Sequence, residues 1–254
     1  MAKTHTSITR MSKTHRSKAQ GGNNVFKKMG KMAGAALAAL VISMPALAID
    51  EGFYVGLGGG VSFTPDIDWS ASAPGVTSSG QLELNTGFGV IGAVGYQWKN
   101  GLAAEGEIGY RRSTADKISA TAAIPSLGIV ATASGSAGGS VSALSFMANG
   151  RYGLDTGTSF TPFVMGGLGI ARVGANNITV SGVALVDDSD WVFAFQGGAG
   201  VNVALGDGFS AEASYRFFGT QGSDFKSGGV KIEADGLRNH SIFLVLKYSF
   251  GGAK

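Results

Sequence analysis

The last apolar stretch of the chain, His240-Ser-Ile-Phe-Leu-Val-Leu-Lys-Tyr-Ser-Phe250, repeats with a period of two. Ile242, Leu244, Leu246, Tyr248 and Phe250 fall on one side, and Ser241, Phe243, Val245, Lys247 and Ser249 on the other. That period marks a β-strand with two unlike faces. It returns at Gly52–Phe63, Thr86–Trp98, Leu102–Arg112, Val141–Leu154, Phe160–Ala171, Trp191–Leu205 and Phe209–Phe217. Eight such strands leave the chain few ways to fold.

The connections narrow the choice further. Lys99-Asn-Gly101, Asp155 to Ser159 and Gly206-Asp-Gly208 are short, and Asn-Gly is a strong hairpin signal. The other four connections are long: Thr64 to Gly80, Ser113 to Ser140, the stretch after Ala171 that ends in Asp187, Asp188 and Asp190, and Phe218 to Asn239. All four are rich in small or polar residues and are expected to be loops. Strict short–long alternation is the pattern of an antiparallel barrel that crosses an outer membrane. The expected fold is therefore all-β, an eight-stranded antiparallel transmembrane β-barrel. Both termini would be periplasmic and the long loops extracellular.

Strand length fits a membrane. Phe53 to Phe63 spans ten residues, roughly 33 Å at about 3.3 Å per residue. Tilted by about 40°, that projects to about 25 Å, the height of the apolar band in such barrels. The aromatics also sort by depth. Phe53, Tyr96, Trp98, Tyr152, Phe160, Phe209, Tyr248 and Phe250 lie near the short-turn end, and Phe63, Phe88, Tyr110, Phe146, Trp191, Phe193, Tyr215 and Phe217 near the long-loop end. Two girdles flanking an aliphatic belt are what membrane interfaces favour.

The first 48 residues read as a secretory signal. A basic region ends at Lys31, an apolar stretch runs from Met32 to Met44, and Ala46-Leu-Ala48 supplies small residues at the cleavage positions. Cleavage is expected between Ala48 and Ile49, and Met29 would give a compact leader if translation began there. This segment holds eight of the 20 Lys and Arg and none of the 17 Asp and Glu, so the remainder carries 12 basic and 17 acidic side chains, a net of −5. The basic balance belongs to the leader, and nucleic-acid binding loses its support. The chain has no cysteine, so disulfides and cysteine metal sites are unavailable.

In this order, Gly52-Phe-Tyr-Val-Gly-Leu-Gly-Gly-Gly60, Thr161-Pro-Phe-Val-Met-Gly-Gly-Leu-Gly-Ile-Ala171, Tyr215-Arg-Phe-Phe-Gly-Thr220 and the His240 to Phe250 strand resemble the small outer-membrane β-barrel family of bacterial surface proteins, which includes porin-family surface antigens. The resemblance covers nearly all of the chain beyond residue 48. It implies outer-membrane lipid and lipopolysaccharide as surroundings, delivery by the barrel assembly machinery, and a host or extracellular ligand for the loops. It departs at Gly251-Gly-Ala-Lys254, which follows the terminal aromatic where the family's assembly signal usually ends.

Little in the chain suggests catalysis or a cofactor. Gly56 to Gly60 is followed by no helical pattern, which a nucleotide loop requires. His240 and Ser241 are neighbours in a strand, so they point to opposite faces and cannot form a base–nucleophile pair. Asp187, Asp188 and Asp190 read as a solvated loop before they read as a cation site. Parity instead puts Glu105, Glu107, Arg111, Arg151, Glu212, Arg216 and Lys247 inside, with Asn149, Gln196 and Asn202. A barrel of eight strands is only wide enough for side chains to fill, so these charges are expected to pair, Glu105 or Glu107 with Arg151 and Glu212 with Lys247. Arg112 and Arg172 continue the outer faces past the aromatic band, where they could meet lipid phosphates. The expected role is a non-enzymatic surface protein or antigen with a plugged lumen. A small-solute channel and a lipid-modifying enzyme are the alternatives.

Overall fold

The computed structural model describes residues 51–180, 183–227 and 230–250. The expected signal peptide, with Met29 and the Ala48–Ile49 junction, lies outside the described residues, as does the tail from Gly251.

Eight strands close a barrel: β1 (Gly52–Phe63), β4 (Gly87–Gln97), β5 (Leu102–Ile124), β6 (Ile129–Gly153), β7 (Phe160–Val180), β8 (Val183–Gly206), β9 (Phe209–Thr220) and β12 (Arg238–Ser249). Each pairs antiparallel with its neighbours, and β1 returns to β12 with Leu57 opposite Leu246 and Val61 opposite Ile242. Closure leaves the ring no open edge, so backbone N–H and C=O groups are satisfied where lipid supplies no partner.

The short turns are tight for local reasons. Gly101, at φ +84°, donates its N–H to the Trp98 carbonyl at 3.1 Å. Asp207 and Gly208 both take positive φ, the backbone that a two-residue hairpin requires. Phe250 N donates to the Phe53 carbonyl at 2.8 Å, so the first and last strands end together at the short-turn rim.

At the other end the four expected loops are not loops. The segment after β1 folds into β2 (Ile67–Ala73) and β3 (Val76–Leu84), turning at Gly75 with φ +78°. The Ser113 to Ser140 segment is a continuation of β5 and β6, closed by a short 3-10 turn at Pro125–Leu127. β7 and β8 likewise run on beyond Ala171, and the last connection holds β10 (Ser223–Ser227) and β11 (Val230–Ala234). The Ala, Ser and Thr of these segments give no strong alternation, yet they fit either face of a ladder already running. β4 pairs with β5 only from Ala103 to Arg112; β3 then takes over that edge from Ala115 to Ala123. From there the sheet continues through β2 and β11 to β10.

The wall has the two faces that the parity demands. Leu57, Val94, Leu168 and Leu244 are each at least 60 % exposed, outward and at mid-wall. Phe243, Val245 and Arg216 on the other face are at most 3 % exposed. The aromatics form chains of contact on the outer surface. Phe53, Tyr96 and Trp98 stack edge to face at 4.9 and 5.3 Å near the short-turn rim, as do Tyr248 and Phe250 at 5.1 Å. Tyr152 is exposed beside them. Trp191 packs on Phe146 at 6.3 Å in the upper ring, and Tyr215 on His240 at 6.1 Å.

Candidate functional site: the barrel lumen

Because β5, β6, β9 and β12 each alternate, every second residue enters the lumen, and four strands deliver charge to one level. Arg151 lies between Glu105 (3.1 Å) and Glu212 (2.6 Å). Lys247 reaches Glu212 at 2.7 Å and Glu105 at 4.0 Å. Arg216 bridges Glu107 and, at 3.1 Å, Glu212. The three carboxylates thus share three cations in one connected network. Its members are all under 10 % exposed.

Neutral groups take up the remaining valences. Tyr54 donates its hydroxyl to Glu105 at 2.9 Å. Asn149 donates to Glu105 at 3.1 Å, and Gln196 donates to Glu107 at 3.2 Å and to the Asn149 carbonyl oxygen at 2.8 Å. Burial of ions is tolerable only with this degree of satisfaction. Asn202 sits nearer the short-turn end, and its Oδ1 has no partner among the described residues.

Arg111 is the odd member. It donates to Ser145 at 3.2 Å and to Gln196 at 3.5 Å, but no carboxylate among the described residues is within ion-pair distance. Its guanidinium carbon instead lies 4.3 Å from the centre of the Phe218 ring. Arg151 lies similarly over Phe163 at 4.1 Å, and Lys247 over Tyr54 at 4.8 Å. Inward aromatics are therefore part of the site, and the sequence reading did not weigh them. Parity puts Phe243 on the face of Lys247 and Tyr54 on the inner face of β1, and the same alternation puts Phe163 opposite the outward Val164. Phe218 could not be placed this way, because it fell in a stretch read as loop.

The remaining candidates separate. His240 is on the outer wall, with Nδ1 2.7 Å from the Tyr215 hydroxyl. Ser241 is inside, donating to Asn239 Oδ1 at 2.6 Å and 2.9 Å from the Ser62 hydroxyl. Arg112 is exposed, opposite Phe88 and Ser142. Arg172 is opposite Trp191 and donates to Ser189 at 3.0 Å. Asp187, Asp188 and Asp190 lie on β8 rather than in a loop; Asp188 accepts from the Ser189 N–H at 2.8 Å, and Asp190 from the Asp224 N–H at 3.2 Å. Among the described residues no group of three His, Cys, Asp or Glu is placed to hold a metal ion.

A closed ring of eight strands, apolar outside, girdled by aromatics and filled with paired charge, defines a membrane-spanning β-barrel. Residues 34–250 match the outer membrane protein beta-barrel domain family, and the chain belongs to that family. A protein of Gluconacetobacter diazotrophicus named "Outer membrane protein" is 30 % identical over 228 residues, which cover 81 % of this chain but 59 % of that relative's length. Among solved structures, Neisserial surface protein A is 17 % identical, with a TM-score of 0.44 over 78 % of this chain and 97 % of that one. The outer membrane protein OprG of Pseudomonas aeruginosa is 12 % identical, with a TM-score of 0.49 over 80 % and 98 %. The barrel is a protein of the bacterial outer membrane.

Proposed function

We propose that this chain is a surface protein whose lumen is a structural plug and whose long hairpins are its working part. The observation that carries this reading is the network of Glu105, Glu107 and Glu212 with Arg151, Arg216 and Lys247, which crosses the lumen from β5 and β6 to β9 and β12. A lumen this narrow has no room for both that network and a continuous water column. In this reading the short turns and both termini face the periplasm, the hairpins of β5–β6 and β7–β8 face outward, and an extracellular or host ligand meets them there. Lipopolysaccharide contacts Arg112 and Arg172, and the assembly machinery reads the β12 strand. The chain is not an enzyme in this reading, which is supported by the division of His240 and Ser241 between opposite sides of the wall.

The test is single-channel recording of the refolded protein in a planar bilayer. The plug requires no steady conductance. A large, steady conductance that persists in every preparation would replace it with the small-solute channel.

A further inference from the structure

Above the charge network the interior changes character. The inward residues of β5 to β9 continue past the level of the aromatic ring as an apolar cluster that includes Ala143, Val173, Ile178 and Phe218. The strands β2, β3, β10 and β11 fold against this cluster and leave a cavity of about 220 Å³. Trp69, Ile118, Val173, Ile178, Phe225 and Leu237 are among its walls, and they come from both the barrel strands and the added ones. Ser223 and Asp235 are the polar exceptions.

We propose that this cavity is a binding site for a small apolar molecule, an aromatic ring or a short aliphatic chain. Side chains normally close-pack protein interiors and leave few voids larger than a water. Here branched aliphatic residues surround a space that none of them fills. A water needs two to four polar partners, and an apolar cavity of about 150 Å³ is already large enough to stay dry and take up benzene. Predominantly apolar walls with a few polar groups are also the usual make-up of a small-molecule site. Two buried polar atoms of the wall, Trp69 Nε1 and Ser223 Oγ, have no partner among the described residues.

The site is blind on the lumen side. Arg111 lies on Phe218 of the apolar cluster, and the ion network, with Arg216 two residues before Phe218 on β9, is on the lumen side of it. The cavity therefore holds a ligand at the long-hairpin end, and its occupancy does not depend on whether the barrel conducts.

Trp69 makes the proposal measurable. The chain has three tryptophans, and Trp98 and Trp191 are in the girdles. The full chain carrying Trp98→Phe and Trp191→Phe, refolded in detergent-free lipid nanodiscs, leaves Trp69 as the sole reporter. Bromobenzene, a heavy-atom quencher, is titrated in. The expected result is saturable quenching of Trp69, with the affinity lowered at least about tenfold by Ala175→Phe, which fills the cavity. If that variant does not fold, Ile178→Trp fills the same space from another position, with the Trp69 signal replaced by the 19F resonance of fluorobenzene and its displacement by toluene. Quenching that rises linearly, and equally when Trp191 is the only tryptophan, would mean partition into lipid and would overturn the site. So would a folded cavity-filling variant that binds as the parent does.

Discussion

Arg111 and Phe218 meet face to charge: the guanidinium carbon of one is 4.3 Å from the ring centre of the other, and both are at most 2 % exposed. The pair is where the ion network meets the apolar cluster of β5 to β9. It also explains how a fourth cation stays buried where three carboxylates are already shared by three others. A desolvated cation over an aromatic face gains about 2 kcal/mol.

This arrangement separates the arginines experimentally. Arg111→Met keeps the bulk over Phe218 and strands no carboxylate, so its stability should stay within about 1 kcal/mol of the parent. Arg216→Met deprives Glu107 and Glu212 of a shared partner and should cost about 3–5 kcal/mol. Urea unfolding in lipid vesicles gives both numbers. Equal costs would refute the different roles.

Glu212 is the hub, because it meets Arg151, Arg216 and Lys247 at 2.6, 3.1 and 2.7 Å. Glu212→Ala should therefore be more damaging than Arg151→Ala or Lys247→Ala, each of which leaves both carboxylates a remaining cation. About 3–5 kcal/mol is expected for the hub. All three variants should open a water path and conduct above the parent in a planar bilayer. A parent conductance that none of them alters would contradict the plug.

The wall register can be tested at two adjacent positions. Leu168 is 60 % exposed to the outside, so Leu168→Arg should cost about 2–4 kcal/mol from lipid exposure of charge. Gly167 faces inward, where a methyl group would run into Asn149 Oδ1 and, at 2.8 Å, the Ala148 carbonyl. Gly167→Ala should thus destabilise more than Leu168→Ala, although it changes less volume. Heat-induced unfolding, followed by circular dichroism, would show the reverse order if the register were shifted by one.

Arg112 and Arg172 flank β6 on the outer wall, opposite Ser142 and Leu144. Replacing both with Gln removes two bidentate phosphate donors without touching the lumen. Less lipopolysaccharide should co-purify, while thermal stability in a phospholipid bilayer stays as it was. Unchanged lipopolysaccharide would end that assignment.

The ring is legible in the chain's own pattern of residues. Period-two alternation fixed which side chains face lipid and which face inward, because a strand gives its residues no other choice. Eight period-two segments joined by alternately short and long connections make a barrel of eight strands, and so Glu105, Glu212 and Lys247 were legible as lumen residues. The packing of distant segments settles the rest, where local signal fades. The Ala, Ser and Thr segments from Ser113 to Ser140 carry almost no face preference, so their strand state depends on the ladder they extend. Likewise Trp69 and Phe225 are far apart in sequence, and only the added hairpin strands bring them over the same apolar interior. Strand adjacency was enough to pair Arg151 with Glu105 and Lys247 with Glu212, but the further contacts of Arg151 with Glu212 and of Arg216 with Glu107 and Glu212 were decided there too. Parity brings a charge to the lumen, but the stagger of strands across the barrel sets which carboxylate it reaches. That stagger puts Glu212 against three cations at once.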